Sequence, residues 1–250
     1  MILKKYSDLP EKLQNDAVST YYKILNDRKL SIAVKRIFDL SVSLIVAIVL
    51  LPVYIIIAVL IKLDSEGPVF YMQERVTVYG RKFKIFKFRT MVTNADKIGT
   101  LVTVSGDPRI TRVGRVLRKF RLDETPQILN IIKGDMSFVG TRPEVQKYVD
   151  KYTDEMYATL LLPAGVTSLA SVFYKDEEKL LSDAENVDDT YVNHILPEKM
   201  YYNLEYISKF SFFYDIKLMF ITVLAVCGIE FKNYTSERIR RTEEEEIQHV

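Results

Sequence analysis

Two adjacent acids, Asp123 and Glu124, stand in R-L-D-E-T-P-Q, directly after a dense run of cations. An aspartyl oxygen can attack phosphorus as a nucleophile, and neighbouring carboxylates offer hard oxygens to magnesium, which takes one or two of them together with substrate phosphates. An acid at a helix start among cations is expected to stay ionised well below neutral pH, as either role demands. The pair therefore suits phosphoryl chemistry. The structural alternative is that Asp123 is an ordinary helix N-cap and that Glu124 complements the helix dipole. The two residues alone leave both readings open. Arg142, on a turn between Gly140 and Pro143, could hold a phosphate through a bidentate guanidinium, and Lys87 and Arg89 could do so from a strand. Taken singly, each of these cations reads equally as surface charge.

These residues need elements to position them. The run D-P-R-I-T-R-V-G-R-V-L-R-K-F-R sets Arg109, Arg112, Arg115 and Arg118 three apart, with Val113, Val116, Leu117 and Phe120 between them. On a helix this is an amphipathic element with a cationic face. It serves membrane docking or phosphate attraction, and the spacing does not choose. The next helix is predicted from an Asp123 N-cap, with Pro126 in its first turn, an apolar run from Ile128 to Ile132 and Gly134 as its stop. Upstream, V-F-Y-M-Q and F-K-I-F-K-F-R-T-M read as two short strands of a hairpin, the second slipping phase between Ile85 and Phe86.

The 250 residues are 48% hydrophobic and 27% charged, with a formal net charge of +2. Such totals fit one ordinary domain or two small ones and exclude a disordered chain or a uniformly basic nucleic-acid binder. The single cysteine, Cys227, excludes an internal disulfide and, with only two histidines, a Cys/His zinc site. The averages hide segregation. Thirteen Lys or Arg face only Asp96 and Asp107 between Arg75 and Arg121, whereas acids gather at Asp176–Asp189 and Glu243–Glu246. Those acidic runs read as a solvated loop and a disordered end.

From Leu40 to Ile61 there are 22 residues without a charge, long enough to cross a bilayer as helix. Pro52 removes a backbone hydrogen bond past the middle of this segment and is expected to kink or break it. Basic residues flank both ends, Lys35 and Arg36 before it and Lys62 and Arg75 after it, so the positive-inside rule asks for both ends on the cytoplasmic side. A hairpin that enters and leaves by one face satisfies proline and charges together. A straight span satisfies neither as well, and a buried core helix would carry a broader polar stripe. The leader before residue 35 reads as polar, with a short helix capped by Asp8 and carrying Pro10. The apolar stretch from Ser211 to Val226 is too short to span, and suits an interfacial or a core helix.

In order along the chain, K-R-I-F-D at Lys35–Asp39, the proline-interrupted apolar segment, K-F-R-T-M at Lys87–Met91, L-D-E-T-P-Q at Leu122–Gln127 and K-G-D-M-S-F-V-G-T-R-P at Lys133–Pro143 resemble the bacterial sugar transferases, the monotopic polyprenol-phosphate phosphoglycosyl transferases. The resemblance runs from about Lys35 to about Gly228. It implies transfer of a sugar-1-phosphate from a nucleotide-diphosphate sugar, usually a uridine one, to undecaprenyl phosphate, the first step of a surface glycan. It makes Asp123 the nucleophile that forms a phosphosugar ester and Glu124 its partner acid, with Mg2+ held at the pair. Gln73, Arg75, Lys87, Arg89 and Arg142 become substrate-binding residues, and Pro52 the break in a re-entrant helix. The implied setting is the cytoplasmic face of the bacterial inner membrane, with membrane lipid, a homo-oligomer and downstream glycosyltransferases as partners and no nucleic acid. Three positions depart from the family pattern. Thr77 follows where glycine is usual, Thr141 replaces proline, and Pro163–Val172 reads P-A-G-V-T-S-L-A-S-V without the usual tryptophan and glutamine, which leaves the sugar unread.

The expected fold is α+β: a small cytoplasmic α-rich module with short β-hairpins, amphipathic interfacial helices and one proline-broken re-entrant membrane helix. Its divisions are a leader over 1–34, the membrane helix over 35–62, a catalytic domain over 63–230 and a charged tail over 231–250. The rival readings are a membrane-anchored scaffold without catalysis, opposed by the intact Asp123–Glu124 pair, and nucleic-acid binding through the cationic region, for which no recognised module is present.

Overall fold

The computed structural model describes residues 2–95, 107–173, 186–226 and 229. The acids expected between Asp176 and Glu185 and those of the tail lie outside the described residues. Asn15 caps α1 (Asp16–Asn26), its side chain accepting from the Val18 N–H at 2.8 Å. The expected Asp8-capped helix is instead a pair of 3-10 turns, Tyr6–Asp8 and Glu11–Leu13, with Pro10 leading the second. The leader is not a polar appendage: Leu3, Leu9, Leu13, Val18 and Leu25 enter the main core.

The long helix α2 (Lys29–Asp64) follows. Pro52 lies inside it, and the helix runs on through the proline without an interruption of its hydrogen-bonded assignment. Proline's fixed φ is itself helical, so only one donor is lost where the flanking turns are held in place. A helix of this length and hydropathy is sufficient to cross a membrane, and few of its most apolar residues are buried. Leu44, Ile45, Ile48, Val49, Leu51 and Val53 all point outward.

Next come β1 (Phe70–Val76) and β2 (Lys82–Phe88), the expected antiparallel hairpin, with Phe70 opposite Phe88 and Val76 opposite Lys82. The phase slip in β2 reflects two packing partners. Phe83 and Ile85 join Ile131, Met136 and Ala164 on one side, while Phe88 joins Ile57, Ile61 and Leu117 on the other. Thr111 caps α3 (Arg112–Lys119), the predicted cationic helix, which leaves Val116 and Phe120 exposed at its apolar margin. A 3-10 turn, Leu122–Gln127, leads into α4 (Ile128–Lys133), which stops at Gly134 in the left-handed conformation, as its sequence predicts.

The second sheet is parallel, pairing β3 (Met136–Val139) with β4 (Ala164–Thr167) across a connection that contains α5 (Gln146–Val149). Gly140 and Gly165 let these backbones touch, since a Cβ on Gly165 would lie 2.2 Å from the Gly140 nitrogen. Short helices α6 (Leu169–Phe173) and α7 (Val187–Thr190) and a π turn (Tyr191–Ile195) precede α8 (Leu196–Ser208) and α9 (Phe212–Val226). The last is half core and half outward-facing: Asp215 and Leu218 are buried, while Phe213, Phe220 and Val223 are exposed.

Two departures from the family pattern have structural answers. Thr77 has extended backbone, so no glycine is needed there. Its hydroxyl donates to the Asp135 carbonyl at 2.7 Å and accepts from the Ala164 N–H at 3.1 Å, tying the hairpin to the second sheet. In the Pro163–Val172 segment, Leu169 is buried in the main core, and Ser171 is bonded to Ser168 at 2.8 Å.

A buried ion pair fixes the start of α2. Lys35 Nζ lies 2.5 Å from Asp215 Oδ2 and donates to the Val139 carbonyl at 2.8 Å, while Tyr206 donates to Asp215 Oδ1 at 2.8 Å. Removing one member leaves an uncompensated buried charge. Lys35→Met or Asp215→Leu is expected to lower stability by about 3–5 kcal/mol, and the double variant to recover more than half of that loss, read by denaturant unfolding in detergent.

Candidate active site

The site is assembled on the turn between α3 and α4. Arg121 takes a left-handed conformation with φ 56°, a costly backbone for a residue with a Cβ, and reverses the chain after the cationic helix. Asp123 is therefore the second residue of the 3-10 turn and not the predicted N-cap, which is Arg121 with no side-chain cap. The turn is pinned from three directions. Thr125 Oγ1 donates to the Leu122 carbonyl at 2.7 Å, Tyr54 of α2 donates its hydroxyl proton to the Thr125 carbonyl at 2.8 Å, and the buried Asn130 side chain bonds β2. That amide accepts from the Phe86 N–H at 2.9 Å and donates to the Lys84 carbonyl at 2.8 Å, standing in for a neighbouring strand.

With β2 held in this way, the alternation of a strand places Lys87 on the face shared by Phe83 and Ile85, and the hairpin register adds Gln73 and Arg75 to that face. Lys87 Nζ reaches Glu124 Oε1 at 2.7 Å. Arg142, carried on the stretch after β3, donates from Nη2 to the same oxygen at 2.8 Å. Arg75 donates to the Pro143 carbonyl at 3.1 Å and to Gln73 Oε1 at 2.6 Å. Gln73, Arg75, Lys87, Glu124 and Arg142 thus form one cluster around the Asp123 turn.

Arg89 does not join it. Its guanidinium caps the end of α2, donating to the carbonyls of Glu66 at 2.5 Å and Ser65 at 2.7 Å, and it is buried. In place of the expected phosphate-binding position, Arg89 is occupied by carbonyls at and just past the end of a long helix, whose dipole end is partially negative. Arg109 is likewise held within the fold, by Asp107 at 2.6 Å. Sequence reading put Arg118 on the cationic face without assigning it to the acid pair, and missed Tyr54. Arg118 donates to Thr90 Oγ1 at 3.0 Å, and its charge is felt at Asp123. Its place in the cationic run five residues before the pair was a usable signal, whereas nothing local marks Tyr54.

Electrostatics divide the two acids. Burial pushes the Glu124 carboxyl upward, but Arg142 and Lys87, by charge and by hydrogen bond, reverse this and hold it well below the usual carboxylate range. Asp123 moves the other way. Burial raises it, the Glu124 charge raises it further, and Lys87 and Arg118 offset this only in part. The expectation that Asp123 itself would be strongly acidic is corrected: the cations are bonded to its neighbour. Burial also lowers Lys87, with Glu124 opposing and Arg142 and Arg75 assisting.

No group of three or more metal-ligating His, Cys, Asp or Glu side chains occurs among the described residues. The donor chemistry nevertheless fits magnesium. Asp123 and the second oxygen of Glu124 supply the one or two carboxylates such an ion takes, leaving its other positions for phosphate and water oxygens. Together the groups can neutralise a diphosphate with Lys87, Arg75 and Arg142 while presenting one carboxylate that is not clamped by them.

The sequence profile described as "Bacterial sugar transferase" matches residues 30–228. A UDP-N-acetylgalactosamine-undecaprenyl-phosphate N-acetylgalactosaminephosphotransferase of Aeromonas hydrophila is 37% identical over 197 residues, covering 77% of this chain and 43% of that protein. A putative undecaprenyl-phosphate N-acetylgalactosaminyl 1-phosphate transferase of Bacillus subtilis is 38% identical over 158 residues, covering 63% of this chain and 83% of the relative. The UDP-glucose:undecaprenyl-phosphate glucose-1-phosphate transferase of Escherichia coli is 34% identical over 194 residues, covering 76% and 39%. The chain thus spans less than half the length of the Aeromonas and Escherichia proteins and most of the Bacillus one. With the profile extending from α2 through α9 and taking in every residue of the cluster, the chain belongs to the bacterial sugar transferase family.

Proposed function

We propose that this protein transfers a sugar-1-phosphate from a nucleotide-diphosphate sugar to undecaprenyl phosphate, starting a surface glycan. The observation that carries this reading is the division of labour at Asp123–Glu124. Glu124 is the anionic anchor of Lys87 and Arg142, and its neighbour keeps a carboxylate that neither cation binds. The relatives' names supply the substrate class, with uridine as the nucleotide of the donor. They differ in the sugar, N-acetylgalactosamine in one pair and glucose in the third.

An Asp123 oxygen attacks the sugar-bearing phosphorus, and the bond from that phosphorus to the bridging oxygen breaks, releasing UMP from a UDP-sugar. An oxygen of undecaprenyl phosphate then attacks the same phosphorus and frees Asp123, giving the undecaprenyl-diphosphate sugar. Lys87, Arg75 and Arg142 orient the diphosphate and stabilise the charge that develops on it. Magnesium held by Asp123 and Glu124 would supply further neutralisation of the phosphates. A covalent intermediate lets one site meet a soluble donor and a lipid acceptor in turn.

The same reading puts the site at the cytoplasmic face of the inner membrane on a re-entrant α2. Arg36 near the start of α2 donates to the carbonyls of Ile131 at 2.6 Å and Ile132 at 3.1 Å, and Tyr54 beyond Pro52 bonds Thr125. The stretch from Thr125 to Ile132 is roughly 12 Å long, well short of a hydrocarbon core of about 30 Å. Both anchorages on so short a stretch support entry and exit by one face. The exposed apolar side chains of α3 and α9 continue that interface. A homo-oligomer and contacts with downstream glycosyltransferases belong to the same proposal.

Incubation with donor labelled in the β-phosphate, without acceptor, is expected to leave label on the protein, and Asp123→Asn to leave none while keeping the wild-type unfolding curve. Full turnover in Asp123→Asn would reject the route. Arg142→Gln is expected to lower kcat/KM about a hundredfold, measured as lipid product by thin-layer chromatography. Cysteines introduced at Val34 and Lys62, with Cys227 replaced, are expected to be equally shielded from a membrane-impermeant reagent in intact cells. Labelling of one alone would mean a spanning helix.

A further inference from the structure

A second buried acid lies behind the cluster. Glu144 is 5% exposed, and its carboxylate is enclosed by residues far apart in the chain. Tyr191 donates to Oε1 at 2.6 Å, and Lys199 Nζ lies 3.3 Å from the same oxygen. Arg75 Nη1 lies 3.9 Å from Oε2, and the Glu144 carbonyl accepts from the Val76 N–H at 2.9 Å. Lys199 also donates to the Tyr191 hydroxyl at 2.8 Å, closing the network. Burial pushes the Glu144 carboxyl up, but Lys199 and Arg75 more than reverse it, so the group is held as a carboxylate.

Such a construction is costly to bury, and its geometry indicates what it holds. Arg75 is itself half-buried, close enough to Arg142 for the two charges to repel, and it shares the site with Lys87. Without a counter-charge at its back, a guanidinium beside two other cations would turn toward solvent. Glu144 supplies that charge at 3.9 Å, and Arg75 in turn donates to the Pro143 carbonyl next to Arg142.

We propose that Glu144, braced by Lys199 and Tyr191, is a positioning residue that holds Arg75 and the Arg142–Pro143 turn in the arrangement that receives the donor's diphosphate. The inference rests on the reading of a nucleotide-diphosphate donor and adds a specific dependence: Glu144 acts on donor binding through Arg75 and has no part in acceptor binding.

The test is a double-mutant cycle on the full-length protein in detergent, with uridine diphosphate and magnesium titrated calorimetrically and both KM values measured beside it. Glu144→Gln keeps the shape and removes the charge. It is expected to weaken nucleotide binding and raise donor KM about tenfold, with acceptor KM unchanged. In the Arg75→Ala background the same change is expected to add less than twofold. Multiplying effects in the double variant, or equal shifts in both KM values, would overturn the inference. If Glu144→Gln does not fold, Tyr191→Phe replaces it in the cycle: the ring still packs on Tyr148, and the hydroxyl's bonds to Glu144 and from Lys199 are lost. Its expected donor KM rise is about threefold, and an unchanged KM overturns the inference. A wild-type protein that binds no uridine diphosphate would defeat the functional reading itself, a result separate from a wild type that binds normally with an additive cycle.

Discussion

Two cations on one carboxylate oxygen organise the site. Lys87 arrives from the hairpin, Arg142 from the stretch after β3, and both end on Glu124 Oε1 at 2.7 and 2.8 Å. Glu124 is the most withdrawn from solvent of the three and is costly to leave unpaired, while Lys87 and Arg142 keep part of their side chains exposed. The pairing binds three otherwise separate elements together. It also separates the surroundings of adjacent acids, since the residue that satisfies the cations leaves its neighbour unclamped by them. Neighbouring carboxylates given different surroundings acquire different protonation behaviour, and here one contact pair makes the difference.

The remaining structure places that contact relative to the apolar helix. Arg36, Lys35 and Asp39 fix the first half of α2 to α4, β3 and α9, with Ser137 donating to Asp39 at 2.7 Å. Ile57 and Ile61 fix the second half to Phe88 and Leu117. The outward stretch between them is left without protein partners on its exposed side, and the acid pair lies on the turn joined to its far half by Tyr54. The outward apolar stretch and the geometry of the acid pair are therefore parts of one packing arrangement.

Much of this was legible in the sequence. The hairpin, the cationic helix, the Gly134 stop and the apolar segment each have a local cause, in alternation, in three-residue spacing, in a left-handed glycine or in uncharged length. The acid pair stood out through its setting. What was not legible depends on tertiary choice. Asp123 loses its capping place to a strained Arg121, Pro52 is absorbed within a helix anchored on both sides, and the leader's leucines find a core that no local pattern announces. Arg89 and Arg142 look alike as single letters beside threonine or proline. One meets helix carbonyls and the other meets a carboxylate, and only the packing of α2 on β2 separates their fates.

The capping of α2 by Arg89 has a thermodynamic consequence. A tally of basic residues between Arg75 and Arg121 gives a strongly positive stretch, yet Arg89 is committed to peptide carbonyls and Arg109 to Asp107. Mobile counter-ions see only charges that remain on the surface. The ionic-strength dependence of association with an anionic bilayer would therefore count fewer cations than the composition implies, because one of these guanidinium groups is buried against peptide carbonyls and the other is paired with a carboxylate.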